Sequence, residues 1–410
     1  MAGGIVIVGA GECGARAASA LRQKGFDGPI ALIGAEHHLP YERPPLSKAV
    51  LIADDAPAKL VTDEKRLADE GISYHRGAQV ASIDRDGKRA LLGDGTSLAY
   101  DKLLLATGAR PRKLERDGSE IAGIVYLRTM DDCIALRHRL TPGSSLLVLG
   151  GGFLGLEIAA TAAARGVRVT VIEAQPRIMM RGVPEAIAAV IAARHAAAGV
   201  EIVCGTAIAH IDAGASGAVV TLADGRSMSG DLLVASVGAI PNTELAAASG
   251  IVVSNGILVD PHLATSDPDI YAAGDCCAFP LASHDGRIVR LESWRSATDQ
   301  AEIVAGNMMG ERASYAAVPW FWSDQFELTL QVAGLADPTL VTVRRDLGDG
   351  AFILFHLDDA GRLLAASGIG PGGAVAREIR LAEMLIARRA QPDPLLLARP
   401  DAKLKAMLAA

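Results

Sequence analysis

The stretch Ile5-Val6-Ile7-Val8-Gly9-Ala10-Gly11-Glu12-Cys13-Gly14 decides the fold. Four β-branched apolar residues in a row read as a buried strand, since neither of its faces carries a polar side chain toward water. The strand enters a G-x-G-x-x-G loop directly. An Ala-rich stretch to about Lys24, stopped by Gly25, then reads as a helix. In such a unit the first glycine permits the tight turn, the second lets the backbone approach a pyrophosphate, and the third lets helix and strand pack closely. The pyrophosphate sits on the positive end of the helix dipole. Pro29 to Ile33 reads as the next strand, with Glu36 just past its end. Glu36 follows Gly14 by 22 residues, close to the spacing at which an acid binds a ribose.

The same plan recurs. Ser145 to Leu149 is a buried strand, Gly150-Gly151-Gly152-Phe153-Leu154-Gly155 repeats the loop, and an Ala-rich helix runs to about Arg165 and Gly166. Val167 to Ile172 is a strand ending at Glu173, 18 residues after Gly155. The repetition reaches beyond the glycines. Residues 94–111 and 224–241 both read Asp-Gly, then Asp seven residues later, then an apolar strand, then Gly-Ala-x-Pro. The Asp-Gly pair suits a tight hairpin turn, and internal duplication is the economical explanation. Beyond residue 312 the pattern changes. Phe326 to Val332 alternates as a half-exposed strand, Leu340–Val343 and Phe352–Leu357 read as further strands, and 374–390 as an amphipathic helix carrying Arg377, Arg380, Arg388 and Arg389.

The chain has 410 residues, 50% of them hydrophobic, 4% aromatic and 21% charged. That composition excludes a disordered or fibrous protein and requires cores built mainly from Ala, Val, Ile and Leu. A net charge of −7 argues against nucleic-acid binding. No 18-residue apolar stretch predicts a membrane-spanning helix, and the N-terminus lacks the basic segment of a signal peptide. The five cysteines, 13, 133, 204, 276 and 277, form no C-x-x-C and no zinc-spaced cluster with histidine, so no metal is expected. A cytoplasmic setting is the simplest reading. The adjacent Cys276 and Cys277 are read as core packing.

Two dinucleotide sites suggest a tightly held flavin and an exchangeable nicotinamide. Tyr271-Ala272-Ala273-Gly274-Asp275 follows a strand-like Ile270, and an Asp at a strand-to-helix junction suits the ribityl chain of FAD. Alone, a helix N-cap serves equally well; beside two fingerprints the flavin reading is favoured.

With these motifs in view, the chain resembles the FAD-dependent pyridine-nucleotide oxidoreductases. Within them it is most similar to the NADH:ferredoxin reductases of cytochrome P450 and ring-hydroxylating dioxygenase systems. The resemblance rests on Tyr41-Glu42-Arg43-Pro44-Pro45-Leu46-Ser47-Lys48, Ala106-Thr107-Gly108-Ala109-Arg110-Pro111, Tyr126-Leu127-Arg128-Thr129, Gly155-Leu156-Glu157, Gly274-Asp275-Cys276 and Pro319-Trp320-Phe321-Trp322-Ser323-Asp324-Gln325. The first and last are specific to the subgroup. The resemblance implies an α/β fold of two Rossmann-like, glutathione-reductase-like dinucleotide domains plus a C-terminal α+β domain. Residues 1–112 and 241–312 would bind FAD, 113–240 NADH, and 313–410 would form the third domain.

It also implies roles. FAD would be held by Gly9, Gly11, Cys13, Gly14, Glu36, Arg43, Lys48, Val80, Ala106, Thr107, Gly108, Arg128, Asp275, Glu292, Ser293 and Trp294. NADH would be held by Gly150, Gly152, Phe153, Leu154, Gly155, Glu157, Glu173, Arg181 and Gly238. Lys48 and Glu157 would form a catalytic ion pair near flavin N5, the cation stabilising anionic reduced flavin. Trp320 and Trp322 would mark the electron exit. Glu173 would meet the 2′-phosphate of NADPH with a like charge, a penalty of up to roughly 4 kcal/mol at an effective dielectric near 20; Arg177 and Arg181 are close enough in sequence to blunt it. Many relatives carry Asp where this chain has Ala35; either Glu36 takes over that ribose contact or the site is altered there.

Glutathione-reductase-like relatives carry C-x-x-x-x-C beside the flavin, thioredoxin reductases C-x-x-C, and peroxidases and oxidases a lone Cys in the segment that here reads Pro44-Pro45-Leu46-Ser47-Lys48. Without a thiol relay, electrons are expected to leave singly to a transiently bound [2Fe–2S] ferredoxin. Arg290, Arg295, Arg344, Arg345, Arg377 and Arg380 are candidates for a basic docking face. Oligomeric state, monomer or weak dimer, stays open. So do a rubredoxin reductase, an NADH oxidase-like flavoprotein and a redox interaction protein like apoptosis-inducing factor.

Overall fold

A computed structural model describes residues 4–337 and 339–408. They divide into two compact units: 4–43, 58–110 and 240–319 in the first, 44–57, 111–239, 320–337 and 339–408 in the second.

In the first unit the wholly buried strand Gly4–Val8 lies between parallel strands Ile30–Gly34 and Ser97–Leu105. Ile72–Arg76 extends the sheet beyond Ile30–Gly34, and Ile270–Ala272 pairs with Ser97–Leu105 on the other side. The helix Glu12–Gln23 buries Ala15, Ala17, Ala18 and Ala20. It packs along the helix Trp294–Met308, which buries Ala297, Ala301 and Ala305. Small side chains let the two helices approach closely, which is how a chain poor in aromatics fills its core.

The second unit repeats the sheet. Ser145–Leu149 lies between Arg168–Glu173 and Leu232–Ala235; Glu201–Cys204 and Ile124–Val125 complete the same strand order. The copies differ at their last strand, which comes late in the chain in one (270–272) and early in the other (124–125). The repeated Asp-Gly pairs form the hairpin turns expected of them. Gly95 and Gly225 have φ of 90° and 87°, and Asp94 and Asp224 accept from the amides of Thr96 and Arg226. The strand after the turn is continuous at Ser97–Leu105 but broken at Asp231 in the second copy. There Asp231 bonds the amide and hydroxyl of Ser145.

The second unit also holds a five-stranded antiparallel sheet in the order Trp320–Gln325, Leu328–Gly334, Leu363–Pro371, Ala351–Leu357, Val341–Gly348. Helix Ala376–Ala387 covers it through Ile379, Ala382, Leu385 and Ile386, at helical spacing. The strand predicted from Phe326 begins instead at Leu328. Phe326 and Glu327 form a two-residue turn, with Phe326 at φ 59°. The predicted helix ends at Ala387 because Arg389 adopts φ 56°, outside the helical region.

His356, 2% exposed on the fully buried strand Ala351–Leu357, has its pKa pushed down to about 4 by burial. The neutral ring is therefore favoured by folding, and its stabilisation is complete above pH 6.5 and lost as pH falls toward 4. A shift of that size is worth about 3 kcal/mol. Denaturation midpoints should fall between pH 7 and pH 4.5, and His356→Gln should reduce proton uptake on unfolding across that window by about one proton.

Candidate active site

The two glycine loops carry out their three tasks in the same way. Gly9 and Gly150 have φ of 111° and 100°, and a Cβ there would lie 2.1 Å from Ala106 O and 2.3 Å from Ser236 O. Only glycine turns the chain so closely against the neighbouring strand. A Cβ on Gly14 would meet Gly9 O at 1.9 Å, and one on Gly155 would meet Gly150 O at 2.1 Å, so each third glycine seats its helix on its own turn. Gly11 and Gly152 face open space. Both are helix N-caps without a side chain, so the first amides of those helices receive no side-chain cap. Two helices thus begin with uncapped amides behind a cleared backbone, a donor set that fits a pyrophosphate at each.

Around the first loop, Ala106, Thr107 and Gly108 end the strand beside Gly9, and Ala106 donates to Val8 O. Gly274 packs against Cys13 and donates to the buried Gln300 amide oxygen at 2.7 Å. That holds Asp275 beside the fingerprint, but not where the sequence suggested. Asp275 lies in a turn between strands Ile270–Ala272 and Cys277–Leu281, and the next α-helix starts only at Trp294, capped by Ser293. The strand-to-helix junction was misjudged because the apolar run after Asp275 pairs with Gly256–Leu258 and Arg287–Val289 as sheet. Cys276 and Cys277 are buried and free. Glu36 accepts from Tyr41 Oη at 2.5 Å and from Arg43 at 2.6 Å, and Arg290 pairs with Glu292. Val80 begins a strand after residues 77–78 return to Glu36 and Gly34. Lys48 and Arg128 belong to the second unit.

At the second loop, Glu173 accepts from the amides of Gly151 at 2.7 Å and Gln175 at 2.8 Å. Its carboxylate is thereby fixed at the end of its strand. Arg177 donates to the carbonyls of Ile178, Met180 and Val183. Arg181 is exposed. Phe153 opens the helix and packs edge-on against Phe321, Leu154 follows it, and Gly238 has φ 107° with open space beside it.

Glu157 sits on the inward face of the helix Phe153–Ala164, 7% exposed. Lys48 Nζ is 3.0 Å from one of its oxygens, to which Ser47 Oγ also donates at 2.6 Å; Ser323 Oγ donates to the other oxygen at 2.6 Å. Lys48 Nζ lies 5.8 Å from the ring centre of Trp322, whose indole stacks on Trp320 at 5.5 Å. The structure thus joins Lys48, Glu157, Trp320 and Trp322 into one cluster. Cys133 donates its thiol hydrogen to Leu46 O, and burial pushes its pKa up to about 11. A thiol that stays protonated is a poor nucleophile.

Sequence reading missed the partners of these groups. Ser47, Ser323 and Gln325 lay inside motifs already singled out, without roles; His195 and Gln300 carried no signal. The basic docking set also needs correction. Arg345 is 1% exposed, donating to the carbonyls of Leu396, Leu397 and Ala402 and pairing with Glu378. It anchors the C-terminal segment on the sheet. Arg344, Arg290, Arg295 and Arg380 pair with Asp346, Glu292, Asp299 and Glu383, and Arg377 is exposed.

Two variants separate the tasks of the glycines. Gly11→Ala should leave apoprotein stability within about 1 kcal/mol yet weaken FAD retention at least tenfold, because only the phosphate side is filled. Gly14→Ala should lower the apoprotein denaturation midpoint itself.

Comparison with known proteins agrees with this geometry. The pyridine nucleotide-disulphide oxidoreductase family matches residues 3–301, and the reductase C-terminal family matches 320–408. The chain is 42% identical, over 98% of both chains, to the anthranilate 1,2-dioxygenase system ferredoxin–NAD(+) reductase component of Burkholderia cepacia. It is 44% identical to a rubredoxin–NAD(+) reductase of Pseudomonas putida, over 80% of this chain and 86% of that one. The crystal structure of the ferredoxin reductase for the CYP199A2 system from Rhodopseudomonas palustris superposes with a TM-score of 0.92 at 38% identity, covering 98% of each chain. Among the described residues no helix is long and apolar enough to cross a membrane. With two pyrophosphate-shaped loops on two copies of one sheet, and likeness along nearly its full length, the chain belongs to the pyridine nucleotide-disulphide oxidoreductase family.

Proposed function

We propose that this protein is an NADH-dependent ferredoxin reductase, delivering single electrons to a [2Fe–2S] ferredoxin that feeds a cytochrome P450 or a ring-hydroxylating oxygenase. The observation that carries the reading is the cluster of Lys48, Glu157, Trp320 and Trp322, free of any reactive thiol, in a chain with two cleared glycine loops. Bound FAD supplies the conversion of a two-electron donor into a one-electron donor.

The chain's own groups have distinct tasks in this reading. Gly9, Gly11 and Gly14 bring uncapped amides to the FAD pyrophosphate, with Glu36 and Arg43 at the ribose side and Asp275 at the ribityl side. Residues 1–112 and 241–312 make up that domain apart from the segment 44–57, which belongs to the second unit; residues 113–240 hold NADH and residues 313–410 complete the reductase. Glu157 keeps the Lys48 ammonium oriented, and Lys48 offers positive charge where the reduced cofactor carries negative charge. The stacked indoles of Trp320 and Trp322 lie beside that ammonium as the route outward. Five free cysteines, four of them buried, are consistent with a reducing, cytoplasmic setting.

A rubredoxin reductase is the second reading, favoured by the 44% identical relative of that name. Purified protein with NADH should reduce a [2Fe–2S] ferredoxin faster than a rubredoxin, and the opposite order would favour the second reading. Glu173 is held at the strand end by the amides of Gly151 and Gln175. Glu173→Ala should therefore reduce the kcat/KM preference for NADH over NADPH at least tenfold; an unchanged ratio would remove Glu173 from its role.

A further inference from the structure

Side chains alternate across the strand Trp320–Gln325. Trp320, Trp322 and Asp324 share one face, and Trp322 Nε1 donates to Asp324 at 3.1 Å. Phe321, Ser323 and Gln325 share the other. Phe321 meets Phe153, Ser323 donates to Glu157, and Gln325 reaches His195 on the helix Glu185–Ala197. Ser323, Gln325 and His195 are fully buried.

The hydrogen bonds run in one direction. Gln325 Nε2 donates to Ser323 Oγ at 2.9 Å, which leaves its oxygen to accept from His195 Nε2 at 3.0 Å. The neutral ring thus carries its proton on Nε2, and Nδ1 is buried without a partner. Burial lowers the pKa of this histidine, in keeping with a neutral ring. The donated hydrogens of the line all run toward Glu157, so each link polarises the next and the last one anchors the carboxylate through Ser323 Oγ. The far end is gripped independently. Arg194 stacks 4.0 Å from the Phe326 ring centre and pairs with Glu327, holding the turn that follows Gln325.

We infer that Ser323 and Gln325, backed by His195, are positioning residues that hold the Glu157 carboxylate in place and so fix Lys48 in its working geometry. The inference rests on the role given to Lys48 above. It assigns the strand Trp320–Gln325 two tasks on its two faces: the aromatic exit, and control of the charge beside the cofactor.

Ser323→Ala in the FAD-loaded enzyme should slow flavin reduction by NADH about tenfold in stopped flow, with the Kd for NADH unchanged. It should also make the midpoint potential of the bound flavin more negative, a readout that a purely structural role would not move. In a Glu157→Gln background the same change should have less than about a twofold effect, because its only route of action is already gone. Gln325→Met, of similar shape, should give the same pattern at about threefold, and serves if Ser323→Ala does not retain FAD. Additive losses in the two backgrounds, or an unmoved potential, would overturn the inference alone. Wild-type protein that NADH cannot reduce would overturn the proposed function and the inference with it.

Discussion

Glu157 is a carboxylate on a helix whose other buried residues include Leu156, Ile158, Ala159, Ala160 and Ala162. An isolated charge there is prohibitively costly, so the surrounding chain must bring partners to it. Three do so from two separate stretches: Ser47 and Lys48 from the segment 44–57, and Ser323 from the C-terminal sheet. That segment is fastened to the same unit by more than Glu157. Thr161 donates to Ser47 O, Arg137 to the carbonyls of Val50 and Ala53, and Arg165 to those of Leu51 and Ile52. These bonds satisfy backbone groups that a four-residue helix, Ala49–Ile52, leaves open at its end. The ion pair is thus embedded in a rigid frame, and Lys48 has little freedom to depart from it.

A second constraint is steric. Each dinucleotide loop depends on two glycines that face protein backbone and one that faces open space. The first kind is needed for folding, the second for the ligand, although all three look alike in the motif. Duplication preserved this division in both copies while the sheets diverged elsewhere. The sheet-edge strand changed its place in the chain, and the long strand after the hairpin broke at Asp231. Neither change touches the loop, because the strands that carry the loops lie at the centre of each sheet.

Much of this was legible in the residues themselves. The apolar β-branched runs, the glycine spacings and the acids past each second strand are local signals, set by steric and dipole rules that act over a few residues. They sufficed for the two copies, the turns at Gly95 and Gly225, and the cofactor-binding loops. The local rules failed where pairing across the sequence overrode them. Asp275 precedes a strand instead of a helix because Gly256–Leu258 and Arg287–Val289 are there to pair with it. Arg345 reads as a surface cation, yet the carbonyls of Leu396, Leu397 and Ala402 converge on it from fifty residues away and draw it inside.

The sequence by itself therefore determined the class of fold, the two glycine turns and the residue types available for redox work. Only the tertiary structure decided which of those residues meet. Glu157 and Ser323 are 166 positions apart, Gln325 and His195 are 130 apart, and no periodicity links either pair. They come together because a buried charge and buried amide groups must be satisfied by whatever donors the packing of strand on helix delivers.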